Sequence, residues 1–532
     1  MSTTIFTNGH IYTGDPRHLF VQSVVVKDGL VHDLGSDADM LLQWGRGDAK
    51  IIDLHGHTAT PGLIDSHLHL GWLGLSFLQL DLRQAASKDE MLGLIKQKAE
   101  ETAAGEWIVG FGWDENLFKD GRAIPTLEEL DRVAPHCPIM LARICGHAHL
   151  VNSKTLEAIG YHEGMEVPAG GVIELDPATG KPTGTFLETA SNLVKPHIPK
   201  PDYEKLKTAL RRSIRYALEH GLTGAHTEDL RDLGGLAQTY RLYDELINQE
   251  GLALRCNLLV YYPFMDELST LGMKAGYGNS HVQIGAVKIF ADGALGRRTA
   301  YLSAPYADDL STSGYPVHEQ EELTELVRQA RRLDMPIAVH TIGDKALEMV
   351  LDSLDQFPAA PYRDRLIHTQ IVRPDLLERL KHPSRIADIQ PRFLAGDFPW
   401  VIDRVGEERI KYAYIWKTML DMGIICAGGS DTPVEPLDPL LGIHAAVTRK
   451  APGETHAGYL PEEKLTMEEA IRLFTLGGAT VTSEDHCKGT LSRGKYADMT
   501  VYSHNLFTMD PDQLLETKAV MTVIGGQVCY SR

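Results

Sequence analysis

The stretch TPGLIDSHLHL, residues 60–70, decides the fold because it runs an apolar strand into a pair of histidines. Side chains two residues apart on a strand point to the same side, so His67 and His69 project together from its end. Two imidazoles in that arrangement can hold one divalent metal ion. A His-x-His pair alone fits a surface position equally well, so the rest of the chain has to decide.

Seven further apolar segments follow, and amphipathic helical patterns such as YEKLKTALRRSIRYALEHG lie between most of the eight strands. In chain order these segments are residues 222–228, 254–262, 285–293, 336–343, 365–372, 387–393 and 423–431. Eight strands that are each followed by a helix predict an α/β protein with a (β/α)₈ TIM-like barrel.

The two ends of the chain share a β-rich, glycine-punctuated pattern. Because chain termini commonly lie close together, we expect residues 1–60 and 486–532 to form one small β-sandwich domain, with the barrel in 61–485. The interval of about 71–205 is too long for one connection after the first barrel strand. It contains its own helix, strand and Gly/Pro-rich hairpin patterns, so a large inserted subdomain is predicted there.

Composition excludes several classes of protein. The 532 residues include 52 Lys+Arg and 72 Asp+Glu, a formal charge of −20, which argues against a nucleic-acid partner. No apolar run is long enough for a membrane span, and the N-terminus lacks a signal-peptide pattern. The six scattered cysteines indicate reduced thiols and a cytoplasmic protein. A homodimer is expected only from the frequency of two-fold assemblies.

Three more metal-competent side chains follow apolar strands: His340, His368 and Asp431. Barrel enzymes place functional residues where a strand gives way to its loop. A single histidine there is more often structural, but five such side chains in one predicted barrel favour a metal centre. A second His-x-His pair, His147 and His149, lies in the insertion, and local pattern alone does not choose between the two pairs.

Lys288 lies between two aliphatic residues in the fourth predicted strand. A buried lysine is costly unless it is paired or neutral. One interpretation is a salt bridge to Asp292 or another acid. The other is a neutral amine that adds carbon dioxide, giving a carbamate whose two oxygens could bridge two metal ions.

The blocks TPGLIDSHLHL, VKIFADGALGRRTA, AVHTIGDKAL, LIHTQIV and GGSDTPVEPLDPL resemble the amidohydrolase superfamily. More narrowly they resemble amidohydrolase family 3, the YtcJ-like branch that includes N-substituted formamide deformylase. The resemblance covers nearly the whole chain. It implies six metal ligands: His67, His69, Lys288, His340, His368 and Asp431.

Within that set the resemblance implies distinct roles. His67 and His69 would hold the more buried ion, and the other two histidines the second ion. Lys288 would be carboxylated and bridge them. Asp431 would be the catalytic residue, because the matching aspartate binds metal and shuttles the proton.

The resemblance also implies two substrate contacts. His147 matches a motif that approaches the active site in relatives, whereas His149 is assigned to structure. Arg298 would contact an anionic group of the substrate, although a loop salt bridge fits it equally well. Asp344 is expected to cap the helix that follows His340.

The expected reaction is hydrolysis of a C–N, amide-type bond in a small substrate through a metal-activated water. The ion would be a divalent metal at one or two per chain; zinc is expected, with manganese, iron and cobalt as alternatives. Zinc would lower the pKa of the bound water to about 7. One-metal deaminases carry a glutamate shortly after the fifth-strand histidine. Here His340 is followed by Thr-Ile-Gly-Asp, without a glutamate, which argues against purine or cytosine deamination and for amide-type hydrolysis. Alternatives are a deaminase or cyclic-amide hydrolase on the same scaffold, and a non-catalytic binding protein.

Overall fold

The computed structural model describes residues 3–119, 121, 123–144 and 147–532. The chain divides into two compact units. The first joins Met1–Leu73 to Leu210–Arg532, and the second is Gly74–Ala209. The insertion that the sequence predicts, at about 71–205, has nearly the same residue bounds as the second unit.

The first unit contains eight parallel strands in a single sheet, and each strand pairs with its successor along the chain. They are β1 (Leu63–Leu68), β2 (Leu222–Thr227), β3 (Arg255–Tyr261), β4 (Val282–Phe290), β5 (Ile337–Thr341), β6 (Asp364–His368), β7 (Arg385–Ile389) and β8 (Cys426–Gly428). All eight overlap predicted segments. The predicted TIM-like barrel is therefore confirmed.

Helices follow the barrel strands and bury an apolar side. Residues Gln320–Arg332, for example, place Leu323, Val327 and Ala330 in the core at helical spacing. Strands β1, β2, β6 and β7 are buried along their whole length, as expected for a parallel sheet covered on both faces. Other helices of this unit are Leu236–Asp244, Met265–Leu271, Asp344–Leu354, Pro374–Leu380, Trp416–Asp421 and Pro439–Thr448.

Backbone hydrogen bonds join the last strand to the first. The Asp431 N–H donates to the His67 carbonyl at 2.8 Å, and the His69 N–H to the Thr432 carbonyl at 2.9 Å. The chains approach closely here, because a Cβ on Gly429 would lie 2.6 Å from the His67 nitrogen. Only glycine fits at that position, so the approach brings the ends of β1 and β8 together.

Strands from both chain ends pair in the same unit. Thr58–Pro61 runs antiparallel to Met499–Tyr502 in a six-stranded sheet. A four-stranded sheet holds Thr3–Thr7, Ser23–Lys27, Leu30–Gly35 and Lys50–Asp53. The apolar cluster between these segments contains both Phe6 and Val523. The boundaries at residues 60 and 486 stay a prediction.

Among its described residues, the second unit has a six-stranded mixed sheet and three α-helices lying wholly within it. Its strands, in sheet order, are Val172–Leu175, Pro182–Leu187, Ala148–Val151, Ile139–Arg143, Ile108–Trp113 and Leu80–Asp81. Its helices are Lys88–Glu101, Leu127–Val133 and Ser153–Ala158. Within the described residues, no helix combines the length and apolar character that crossing a membrane requires.

Candidate metal centre

Three predicted ligands converge where β1 and β8 end. Nε2 of His67 and Nε2 of His69 each lie 3.3 Å from Oδ1 of Asp431, and all three side chains are buried. One donor atom from each lies within 4.8 Å of the other two. Asp431 has φ +59°, a conformation that a non-glycine residue adopts at an energetic cost. The fold therefore holds this carboxylate against both imidazoles.

A second pair of histidines meets at the ends of β5 and β6. Nδ1 of His340 lies 3.0 Å from Nε2 of His368. The opposite nitrogens have acceptors: His340 Nε2 lies 3.0 Å from the Gly293 carbonyl, and His368 Nδ1 lies 2.7 Å from Oε1 of Gln390. With each ring donating an N–H to its outward acceptor, the two facing nitrogens would each present a lone pair.

Burial keeps both of these rings neutral. It lowers the pKa of His340 well below its usual range and lowers the pKa of His368 to about 4. No proton is then available to share between the facing nitrogens. Two lone pairs 3.0 Å apart repel unless a cation lies against both. This arrangement fits a bound metal ion.

Lys288 projects from β4 into the centre of the site. It is 1% exposed, and its Nζ lies 3.1 Å from His67 Nε2 and 4.9 Å from the centre of the Phe290 ring. Burial lowers the pKa of Lys288 to about 8. None of the described residues forms an ion pair with it.

Asp292 is the acid that one interpretation of the sequence paired with Lys288, but its carboxylate makes other contacts. Its carboxylate accepts the backbone N–H groups of Tyr301, Ile342 and Gly343 at 2.8–3.0 Å. It thereby fixes the loop just after His340. That loop opens the helix Asp344–Leu354, whose N-cap is Gly343 rather than the predicted Asp344. Asp344 instead accepts the Ser303 N–H at 3.0 Å.

The electrostatics of the first ligand group favour an ionised carboxylate. Burial opposes ionisation of Asp431, but the hydrogen bond from His69 and the charges of His69 and Lys288 outweigh it and lower the pKa. Burial likewise opposes protonation of His69, yet the contact with Asp431 raises the pKa of that imidazole. His69 is anchored from behind, because its Nδ1 lies 2.7 Å from the Glu228 carbonyl.

Asp65 supports the ligands without being one. It accepts the His67 N–H at 3.1 Å, and the Ser430 N–H reaches both of its oxygens at 3.1 Å. One carboxylate therefore ties the backbone before Asp431 to the backbone of the first-strand histidines. Burial raises the pKa of Asp65 to about 7.

Sequence reasoning missed Glu228, whose side chain is fully buried where β2 ends. Its Oε2 lies 3.9 Å from His69 Nδ1 and 3.0 Å from an amino group of Arg231. The rule that singled out His340, a chemically competent residue directly after an apolar strand, would have found it.

The two predicted substrate contacts each pair with an acidic side chain. Arg298 makes a bidentate hydrogen bond to Asp308, at 3.1 and 2.9 Å, which is the loop salt bridge that the sequence allowed. His147 lies in the second unit, 64% exposed, with its Nδ1 2.9 Å from Glu188. His149 is buried in strand Ala148–Val151. Residues 145 and 146, which directly precede His147, lie outside the described residues.

Comparisons with known proteins agree with this geometry. The sequence profile of the amidohydrolase family matches residues 50–530. The chain is 41% identical over 530 residues to YtcJ of Bacillus subtilis (strain 168), covering 99% of each. It is 26% identical over 559 residues to N-substituted formamide deformylase of Arthrobacter pascens, covering 100% and 99%. An uncharacterized metal-dependent hydrolase from Pyrococcus horikoshii OT3 superposes with TM-score 0.78 at 30% identity, covering 96% of this chain and 99% of that one.

Proposed function

The chain belongs to the amidohydrolase family and is a metal-dependent hydrolase, and we propose that it cleaves a C–N, amide-type bond of a small substrate. The family assignment confirms the resemblance read from the sequence. The observation that carries the proposal is that the facing nitrogens of His340 and His368 lie 3.0 Å apart beside the cluster of His67, His69 and Asp431.

The donor set indicates which residues would hold metal. His67, His69 and Asp431 would hold one ion, and His340 with His368 a second. Imidazole and carboxylate donors suit zinc, which is the ion we propose. A divalent ion held there supplies a Lewis acid for a carbonyl oxygen and makes water a stronger acid.

Asp431 would manage the proton. The water oxygen bonds to the carbonyl carbon, the C–N bond breaks, and the proton lost by the water must reach the leaving nitrogen. Asp431 is ionised and held by its backbone, so it can accept that proton and return it to the nitrogen. Its contacts with both first-strand histidines keep the carboxylate in one position during the transfer.

Lys288 would be present as a carbamate. Its amine adds to carbon dioxide, forming an N–C bond and releasing one proton, and the product carries a negative charge and two oxygen donors. The support is geometric: a buried amine beside His67, without an ion-pair partner among the described residues.

The reaction class is tested by a substrate screen on zinc-loaded protein. N-substituted formamides come first, because a relative carries that activity in its name, followed by N-acyl amines, N-acyl amino acids and cyclic amides. We expect release of a carboxylate and an amine, read by product mass, and its loss in Asp431→Asn. Ammonia release without a carboxylate would instead identify a deaminase. Turnover that survives Asp431→Asn unchanged would refute the assigned role.

The location of the metal is tested by paired variants. Replacing His67 and His69 with alanine should remove bound zinc while far-ultraviolet circular dichroism stays native. Replacing His147 and His149 makes the matched control and should leave zinc content unchanged. The reverse result would move the centre to the second His-x-His pair.

Lys288 is tested by labelling. Protein equilibrated with carbon-13 bicarbonate should show one carbamate resonance, absent in Lys288→Ala and retained in Lys450→Ala. Lys450 is a suitable control because it is also largely buried but bonds Asp512 at 2.8 Å. Fully metallated, active protein without this resonance would contradict the carbamate.

A further inference from the structure

We propose that Arg231 recognises an anionic group, so that the substrate is an amide that carries a carboxylate close to the scissile bond. The inference deepens the proposed function and rests on it. It stands on the placement of one arginine that the sequence analysis did not single out.

Arg231 lies in the short helix Leu230–Leu233, directly after β2. Its side chain is 43% exposed, whereas the ligand side chains next to it are almost completely buried. It is therefore a cation at the carboxyl end of the barrel, open to solvent on one side and tied to the centre on the other.

A buried carboxylate fixes the guanidinium. Oε2 of Glu228 lies 3.0 Å from an amino group of Arg231, and the Glu228 side chain is fully buried. Neither carboxylate oxygen has a hydrogen bond of regular geometry from the described residues. A buried carboxylate is costly unless a cation compensates it, so this pair holds Arg231 in one place.

Two aromatic rings also lie against the guanidinium of Arg231. The guanidinium carbon lies 5.0 Å from the centre of the Tyr261 ring and 5.3 Å from that of Phe290, within reach of a cation–π contact. Phe290 in turn packs on the His340 ring at 5.4 Å and lies 4.9 Å from Lys288 Nζ. A single ring therefore separates Arg231 from the metal-competent residues.

The hydrogen-bonding groups of arginine indicate which ligand Arg231 would bind. A guanidinium has five N–H donors in a planar fork that matches a carboxylate, and the contact with Glu228 occupies one amino group. Arg373 shows the contrasting case, since Asp375 binds it through two hydrogen bonds and Glu348 adds a third at 3.1 Å. Arg231 is thus positioned to bind an incoming carboxylate, whereas Arg373 is saturated by the protein.

Two non-hydrolysable probes that differ in one carboxylate test the proposal. N-methanesulfonyl-L-leucine carries it, and N-methanesulfonyl-3-methylbutylamine lacks it. Affinities are measured by calorimetry on the zinc-loaded full chain, with zinc content checked for each variant. We expect the acid to bind wild type about tenfold to a hundredfold tighter, as a charged bidentate contact allows.

In Arg231→Gln most of this preference should be lost, leaving only the part due to the metal centre, while the affinity for the neutral probe stays the same. The double variant Arg231→Gln with Glu228→Gln leaves no uncompensated buried charge, and it should show the same loss if the single variant folds poorly. Arg373→Gln, the matched control, should keep the preference.

Equal affinities in wild type would overturn the proposal, as would equal weakening of both probes in Arg231→Gln. Loss of the preference in Arg298→Gln would transfer the role to Arg298. Binding needs no turnover, so these results stand whether or not the screen finds amide hydrolysis. Failure of the screen and failure of this inference are therefore separable.

Discussion

Replacing Asp65 tests whether a residue that does not itself bind metal positions the candidate metal ligands. In Asp65→Ala the N–H groups of His67 and Ser430 lose their acceptor inside the protein. Each unsatisfied buried donor costs about 1–3 kcal/mol, so we expect a loss of about 2–6 kcal/mol in the free energy of unfolding. Asp65→Asn keeps an oxygen that can accept both N–H groups and should lose only about 1 kcal/mol.

The larger effect should be on metal binding. Removing a group that orients ligands typically weakens metal affinity about 10–100-fold, and Asp65 orients three of them through the backbone. Zinc affinity is measured by competition with a coloured chelator, and thermal midpoints are measured on metal-free protein. The matched control is Asp364→Ala, because that buried acid accepts the Ile337 N–H at 3.0 Å at the amino end of the barrel. It should lower the thermal midpoint and leave zinc affinity unchanged. Equal zinc affinity in Asp65→Ala and wild type would refute the reasoning.

Two further substitutions probe the same region. Gly429→Ala would place a Cβ 2.6 Å from the His67 nitrogen, so thermal scans should show a lower midpoint and zinc titration a weaker site. Gly93→Ala is its control: a Cβ there meets nothing within 4 Å in a helix, and the change should stabilise by about 0.5–1 kcal/mol. Gln390→Leu removes the acceptor that orients His368, so metal analysis should show loss of the second ion before the first. An unchanged zinc stoichiometry in Gln390→Leu would show that the orientation of His368 does not depend on it.

The barrel could be predicted from the sequence because its strands are continuous apolar runs. Such runs are typical of parallel strands buried on both faces, and a helical period follows most of them. The candidate ligands could be singled out for a related reason. A histidine or lysine that interrupts or ends such a run stands out against aliphatic neighbours, as Lys288 does in β4.

The supporting residues could not be found in this way. Asp65 lies inside the opening motif, yet its role depends on Ser430, and the two are 365 positions apart in the chain. Gln390 orients His368 only because β6 and β7 end side by side. Asp292 was considered as a partner for Lys288, but its carboxylate accepts hydrogen bonds from three backbone N–H groups instead. Such roles depend on contacts between separate segments of the chain, which the local side-chain pattern does not encode.

The charges at the carboxyl end of the barrel connect the two proposals. Glu228 and Arg231 compensate each other, which leaves Asp431 as the ionised acid among the predicted ligands. Two divalent ions would bring four positive charges against that single carboxylate, and an ammonium on Lys288 would add a fifth. A carbamate on Lys288 changes the sign of its contribution and still leaves the site positive. An anionic substrate is then attracted by the metal centre as well as by Arg231. The contribution of Arg231 to binding of the acid probe can consequently be measured only between variants of equal zinc content. Lys288→Ala should weaken binding of the acid probe in proportion to the zinc that the variant loses.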